Sequence, residues 1–209
     1  MLDCVILKSK KMMDAIVLAA GLSRRMGSKN KLLLSFQGKT IIETTVSNIL
    51  KADIGAVIVV VGHEANEVKN ILNKSFENIK IVENPDFEQG MTTSIKAGIR
   101  AAQNTEGYMI CLSDMVLIEP DEYRFLATQF FEFLKKDKQT IVQPTFENQR
   151  GNPVIFSNFY QKDILETTDT EGCRSVVQKY KKHVKLVEMP TNHILQDVDN
   201  KENYEKLVS

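Results

Sequence analysis

From residue 14 onward, short β-branched apolar runs alternate with longer amphipathic stretches, and this alternation constrains the chain more than any other feature. Runs at 15–18, 56–61, 79–82, 108–112, 140–143 and 153–156 read as strands. The segments 41–51, 64–73, 92–103, 120–136, 157–165, 172–180 and 200–208 repeat apolar residues at three- and four-residue spacing and read as helices. A strand–helix order of this kind builds βαβ units, so the expectation is one α/β domain around a mostly parallel sheet.

The 209 residues suffice for a single core. A domain of this size buries roughly 70% of the surface that its unfolded chain exposes, so neither metal nor disulfide is needed to hold it together. Lys and Arg number 27 and Asp and Glu number 27, a balance that excludes coating of a polyanion and argues against nucleic acid as partner. Cys4, Cys111 and Cys173 are odd in number and far apart, with no zinc spacing, which points to a reducing, cytoplasmic compartment. The apolar run at 4–7 is too short for a signal-peptide core, and nothing approaches the ~18 apolar residues of a membrane span. Residues 1–12 read as a tail ahead of a domain at 13–209.

Ligands of open α/β sheets bind beyond the carboxyl ends of the strands, so the segments that follow the strands carry the functional signal. The stretch Val17 to Lys31, VLAAGLSRRMGSKNK, joins small residues, glycines and cations directly after a strand. Small residues let a phosphate chain approach main-chain N–H groups while Arg25 and Lys31 neutralise it from two sides. The stretch is neither GxGxxG nor GxxxxGK[ST], so a dinucleotide fold or an ordinary ATPase is not indicated; the plain alternative is a solvated basic loop. Asp114, at the end of an apolar run, is suited to Mg²⁺, which takes one or two carboxylates together with phosphate oxygens. Asp199 is the natural second ligand, ahead of Asp197, and helix capping or a turn is the competing account of such aspartates. Thr92, Thr93 and Ser94 stand at a helix entrance, where hydroxyls and free N–H groups hold a ribose, a base edge or a phosphate, or simply cap the helix.

The first loop resembles the signature AAGxSxRMGxxxK of the MobA-like nucleotidyltransferases, and its closest likeness is to the molybdenum cofactor cytidylyltransferases. Further resemblances follow in order along the chain. Gly90-Met91-Thr92-Thr93-Ser94 is similar to GMSSS, Leu112-Ser113-Asp114-Met115 to LADMP, Arg150-Gly151-Asn152-Pro153 to RGHP, and Asp197-Val198-Asp199 to the start of DIDT. Val116, Asn152 and Asn200 replace the family's Pro, His and Thr, and 168–174 approximates its GDxGAR.

The resemblance implies a Rossmann-like (GT-A-like) three-layer sandwich that transfers CMP from CTP to the terminal phosphate of molybdenum cofactor (molybdopterin) and releases pyrophosphate. It implies that Ala19, Ala20, Gly21, Ser23, Arg25, Gly27 and Lys31 bind the nucleotide, together with Gly90, Thr93, Ser94 and Asp114. Arg25 and Lys31 would act on the reacting phosphates, Asp114 and Asp199 would hold Mg²⁺, and Asn152, Gly172 and Arg174 would meet the acceptor. A client molybdenum hydroxylase is the implied partner. Ala20 is the residue expected to favour CTP over GTP, since its methyl takes up volume beside the base. Two other readings remain: a sugar or polyol phosphate as acceptor, and a non-catalytic carrier of a pterin cofactor or nucleotide. His63 reads as a polar surface residue, His183 and His193 have no evident partner, and Cys173 and the Phe125–Phe133 cluster read as packing.

Overall fold

The seven residues of the first strand are all buried, and the main sheet grows outward from it on both sides. The computed structural model describes residues 13–23, 30–103 and 105–208, so the expected tail at 1–12 lies outside the described residues. In chain order the strands are β1 (Met13–Ala19), β2 (Ser35–Phe36), β3 (Lys39–Thr40), β4 (Val57–Val61), β5 (Lys80–Glu83), β6 (Gly107–Leu112), β7 (Ile141–Phe146), β8 (Gln149–Arg150), β9 (Val154–Ser157) and β10 (Val184–Glu188). The helices are α1 (Ile41–Ala52), α2 (Ala65–Ser75), α3 (Met91–Ala101), α4 (Pro120–Leu134), α5 (Gln161–Glu166), α6 (Arg174–Lys179) and α7 (Lys201–Val208).

The main sheet runs β10-β7-β9-β6-β1-β4-β5, with β8 paired to β7, while β2 and β3 form a separate hairpin. β4 and β6 flank β1 in parallel register, β5 continues in parallel beyond β4, and β10 is parallel to β7. β9 is antiparallel to both β6 and β7. The chain therefore moves from β1 outward through β4 to β5, then returns to lay β6 on the other side of β1. That reversal opens a crevice at the carboxyl end of β1.

Alternation along β1 divides the core. Ala15, Val17 and Ala19 join α1, α2 and α4 on one face, and Ile16 and Leu18 join α3, α5 and α6 on the other, giving three layers. Local signals start the helices. Thr40 and Glu43 cap α1 reciprocally: the Glu43 N–H donates to Thr40 Oγ1 at 3.3 Å and the Thr40 N–H to Glu43 Oε2 at 2.8 Å. Pro120 opens α4 at a position where its missing N–H costs nothing. No helix among the described residues is long and apolar enough to cross a membrane.

Besides the two-residue strands β2, β3 and β8, which the sequence expectation does not include, three elements depart from it. β10 was not anticipated, because Val184–Glu188 alternates apolar with charged residues and lies on the sheet edge. The helix expected at 157–165 opens as a 3₁₀ turn, Asn158–Tyr160, before α5. The one expected at 172–180 begins only at Arg174, since Gly172 and Cys173 take left-handed backbone conformations at φ 81° and 66°.

α3 lies close against β1 because Gly98 has no side chain. A Cβ there would stand 2.3 Å from Ile16 Cγ2 and 3.2 Å from Val60 Cγ2. Gly98→Ala should overpack this seam at a cost of about 1–3 kcal/mol. Thermal unfolding should then fall by ~2–4 °C per kcal/mol, and an unchanged Tm would show that the layers separate freely.

Candidate functional site

The crevice at the carboxyl end of β1 is a cavity of about 880 Å³. Ala20 and Gly21 continue from β1, Ser113 and Asp114 from β6, and the β8–β9 connection brings Gly151 and Asn152 from across the sheet. Helix-borne residues complete it, with Ser94 from α3 and Arg174 and Gln178 from α6. Residues far apart in sequence meet here because parallel strands present all their carboxyl ends on one side.

Lys31 is the electrostatic centre. Its Nζ donates to Asp114 Oδ2 and, at 2.9 Å, to Asp199 Oδ1. Burial alone would pull the ammonium down, but Asp114 and Asp199 outweigh it and hold Lys31 above its ordinary pKa. The chain reaches Lys31 through a braced turn: the Lys31 N–H donates to Ser23 Oγ at 3.3 Å, and the Leu32 N–H donates to Asn30 Oδ1 at 3.0 Å. Arg25 and Gly27 lie outside the described residues.

Asp114, Asp197 and Asp199 each place a carboxylate oxygen within 4.8 Å of the others. Asp197, ranked behind Asp199 on sequence, thus belongs to the same cluster. Burial raises its carboxyl above the ordinary value, and Asp199 and Asp114 push it further. Three hard oxygen donors this close together, two of them already accepting from Lys31, have the donor chemistry of a divalent-cation site.

The Gly90–Ser94 segment divides in two. Ser94 lines the cavity and accepts from Asn84 Nδ2 at 3.0 Å. Thr93 does not line it; its Oγ1 donates to Gly90 O at 2.9 Å and accepts from Asn84 Nδ2 at 2.9 Å, which closes the first turn of α3. Gly90, at φ 116°, and Ala19 are likewise absent from the wall. A Cβ at Gly90 would stand 2.6 Å from Thr170 O, and the Gly172 N–H donates to Thr92 Oγ1 at 3.1 Å, so this segment docks the 168–174 loop onto α3. Asn152, Gly172 and Arg174 all line the cavity.

Sequence reasoning missed four residues. Asn84, buried at the end of β5, sets the Ser94 hydroxyl and carried only a turn signal in Asn84-Pro85. Phe87 lines the cavity and closes over Gly62, where a Cβ would stand 2.7 Å from Phe87 Cβ and 2.8 Å from Ala20 Cβ. Gln143 on β7 borders the cavity with its Oε1 buried and bonded to no donor among the described residues. Arg150 lines it from β8, inside a motif whose asparagine drew the attention. Cys173 is fully buried and its thiol is pushed up to about 12, chiefly by burial, in keeping with a packing role.

Comparison with known proteins agrees with this architecture. The chain is 29% identical over 192 residues to the molybdenum cofactor cytidylyltransferase of Escherichia coli, covering 91% of this chain and 93% of the relative. It is 24% identical to the nicotine blue oxidoreductase of Paenarthrobacter nicotinovorans, over 92% and 95% of the two chains. A probable molybdenum cofactor guanylyltransferase of Methanosarcina acetivorans is 28% identical over 80% of this chain and 72% of its own. In fold, the chain superposes on a nucleotidyl transferase from Methanothermobacter thermautotroptrophicus with a TM-score of 0.80 at 24% identity, covering 94% and 96%. The model of the MobA-like NTP transferase domain matches residues 15–184, from within β1 to the first residue of β10, and the chain belongs to that nucleotidyltransferase family.

Proposed function

We propose that this chain transfers CMP from CTP to the terminal phosphate of molybdenum cofactor, with release of pyrophosphate. The observation that carries the reading is the meeting of Lys31 with three carboxylates at the mouth of a cavity large enough for two substrates. The likeness to a cytidylyltransferase over nine-tenths of both chains supports the nucleotide and the acceptor.

In the transfer, an oxygen of the acceptor phosphate attacks the α-phosphorus of the nucleotide, and the bond to the bridging oxygen of pyrophosphate breaks. A phosphate monoester is largely dianionic near neutrality, with a second pKa of about 6, so the chain need not supply a base. It must align two anions that repel each other and stabilise charge on the leaving group. Asp114, Asp199 and Asp197 would hold Mg²⁺, which would supply positive charge to the reacting phosphates. Lys31, released from part of its bond to the carboxylates, contributes its ammonium to the same phosphates. Arg25 and the Gly21–Gly27 backbone are assigned to the β- and γ-phosphates, and Asn152, Gly172 and Arg174 to the acceptor.

Pyrophosphate release is the deciding assay, with CTP, GTP, ATP and UTP each crossed with molybdenum cofactor and with sugar phosphates. CTP with molybdenum cofactor should give the highest kcat/KM; no metal-dependent release with any pair would leave a carrier. A higher kcat/KM for GTP would replace cytidylyl with guanylyl transfer. Ala20 lines the cavity with its methyl beside Gly62, so Ala20→Gly should relax the preference for CTP without inverting it. One methyl-sized difference is worth about 1–3 kcal/mol, or roughly 10- to 200-fold.

Lys31→Ala should lower kcat as well as raise the KM for nucleotide, because the phosphates it meets gain charge as pyrophosphate leaves. Unaltered kinetics would remove Lys31 from the reaction. Asp114→Asn should abolish nearly all metal-dependent turnover in a folded protein, and ordinary activity in a protein carrying both Asp114→Asn and Asp199→Asn would place the metal elsewhere.

The raised pKa of Asp197 sets a further expectation. The folded state binds this proton more tightly than the unfolded state, so stability is lost as pH rises from the ordinary aspartate value of 3.8 through the raised one. In metal-free buffer at pH 7, Asp197→Asn should therefore raise the Tm, and the gain should shrink as pH falls through the carboxylate range. An equal or lower Tm at pH 7 would show that the cluster carries no such strain.

A further inference from the structure

Residues 189–200 contain no strand and no α-helix, yet they carry two of the three clustered carboxylates. Like charges press them away from Asp114, and the segment must be held by other means. Its inner end is held at Val198, which is buried and whose N–H donates to Asp114 O at 3.2 Å. Its outer end is held by Glu122 of α4, a carboxylate only 7% exposed that the catalytic reading does not use. Glu122 Oε1 accepts from Thr191 Oγ1 at 2.5 Å, and Glu122 Oε2 accepts from the Glu119 N–H at 2.8 Å. His193 Nδ1 stands 2.8 Å from the same Oε2, and the His193 N–H donates to Thr191 Oγ1 at 3.3 Å.

Between the two anchors lies Ile194, fully buried, whose carbonyl accepts the Asn152 N–H at 3.1 Å. Gly151 permits this approach, since a Cβ there would stand 2.4 Å from Ile194 O. The segment is thus one strap. It starts at the first turn of α4, passes under the acceptor-side loop and ends at the carboxylates.

We propose that Glu122 and His193 are positioning residues that clamp this strap and so hold Asp197 and Asp199 in range of Asp114 for a divalent cation. The inference rests on the metal assignment above. Glu122 suits the task because it is fixed twice, as the cap of α4 and as the acceptor for Thr191 and His193. A carboxylate within the first helical turn is also stabilised by the N-terminal end of the helix dipole. His193 contributes an N–H in a defined direction, a function that the side-chain amide of asparagine reproduces and alanine does not. Groups that orient metal ligands from behind commonly govern metal affinity by 10- to 100-fold.

The test is Mn²⁺ affinity of the full chain without nucleotide, followed by the electron paramagnetic resonance of free Mn²⁺, with a thermal melt for every variant. His193→Ala should weaken Mn²⁺ binding roughly tenfold or more, His193→Asn should stay within about twofold of wild type, and Glu122→Gln should resemble His193→Ala. Leu72→Ala on α2 serves as the destabilised control and should lower the Tm while leaving Mn²⁺ affinity unchanged. If His193→Ala does not fold, Glu122→Gln carries the comparison. Wild-type binding of Mn²⁺ with unchanged affinity in both variants would overturn the clamp and leave the metal assignment standing. A loss of equal size in Leu72→Ala would also overturn it, as general loosening. Failure of the wild type to bind Mn²⁺ would overturn the metal assignment and the clamp together.

Discussion

Three carboxylates gathered around one ammonium govern the rest of this structure. Two unit charges 4.8 Å apart, the outer limit of the cluster, repel by about 3–4 kcal/mol at an effective dielectric constant of 20, before solvent screening. Lys31 bonds to Asp114 and Asp199 but to none of the Asp197 oxygens. The three carboxylates are held from two directions: Asp114 stands in the turn directly after β6, while Asp197 and Asp199 stand on irregular chain.

This explains why so much of the fold serves to fix backbone at one rim. β1, β4 and β6 end together, with Leu18 in register with both Val60 and Leu112. Ser113 Oγ ties the two central strand ends by donating to Leu18 O at 2.7 Å. Asp114 is thus held by the sheet itself. The far carboxylates have no sheet to hold them, and side-chain bonds to α4 take its place. One half of the cluster is fixed by secondary structure and the other by tertiary contacts.

That division also decides what was legible in the sequence. Strand residues and the loop after β1 announce themselves because their signals are local: β-branched runs, small residues and clustered cations within some fifteen positions. The six central strands, the α/β class and the gathering of Lys31, Asp114 and Asp199 in one cavity were readable on that basis. β10 was not, because a half-exposed edge strand with Lys185 and Glu188 lacks the apolar run of its buried neighbours. His193 seemed partnerless because its partner lies 71 residues away on a helix whose own pattern explains Glu122 as a cap. Thr93 is ambiguous in sequence for the opposite reason. A hydroxyl at a helix entrance satisfies capping and ligand binding equally well in sequence, and only the Gly90 and Asn84 bonds show which groups it meets.

The two halves of the cavity are built from different materials, and this bears on specificity. On one side the wall is backbone and small residues, Ala20 and Gly21, and behind Ala20 the chain packs closely enough that a Cβ at Gly62 would meet both Phe87 and Ala20. On the other side the wall is polar side chains: Gln143 and Arg150 from strands, Asn152 from a loop, and Arg174 and Gln178 from a six-residue helix. A wall of backbone cannot change its chemistry by substitution without moving strands, whereas a wall of side chains can change one residue at a time. Gln143 illustrates the freedom, since its amide oxygen is buried without a donor among the described residues, an arrangement that costs about 1–3 kcal/mol. The polar wall is thus where single substitutions change the chemistry of the cavity while the cluster of Lys31 and the three aspartates stays in place.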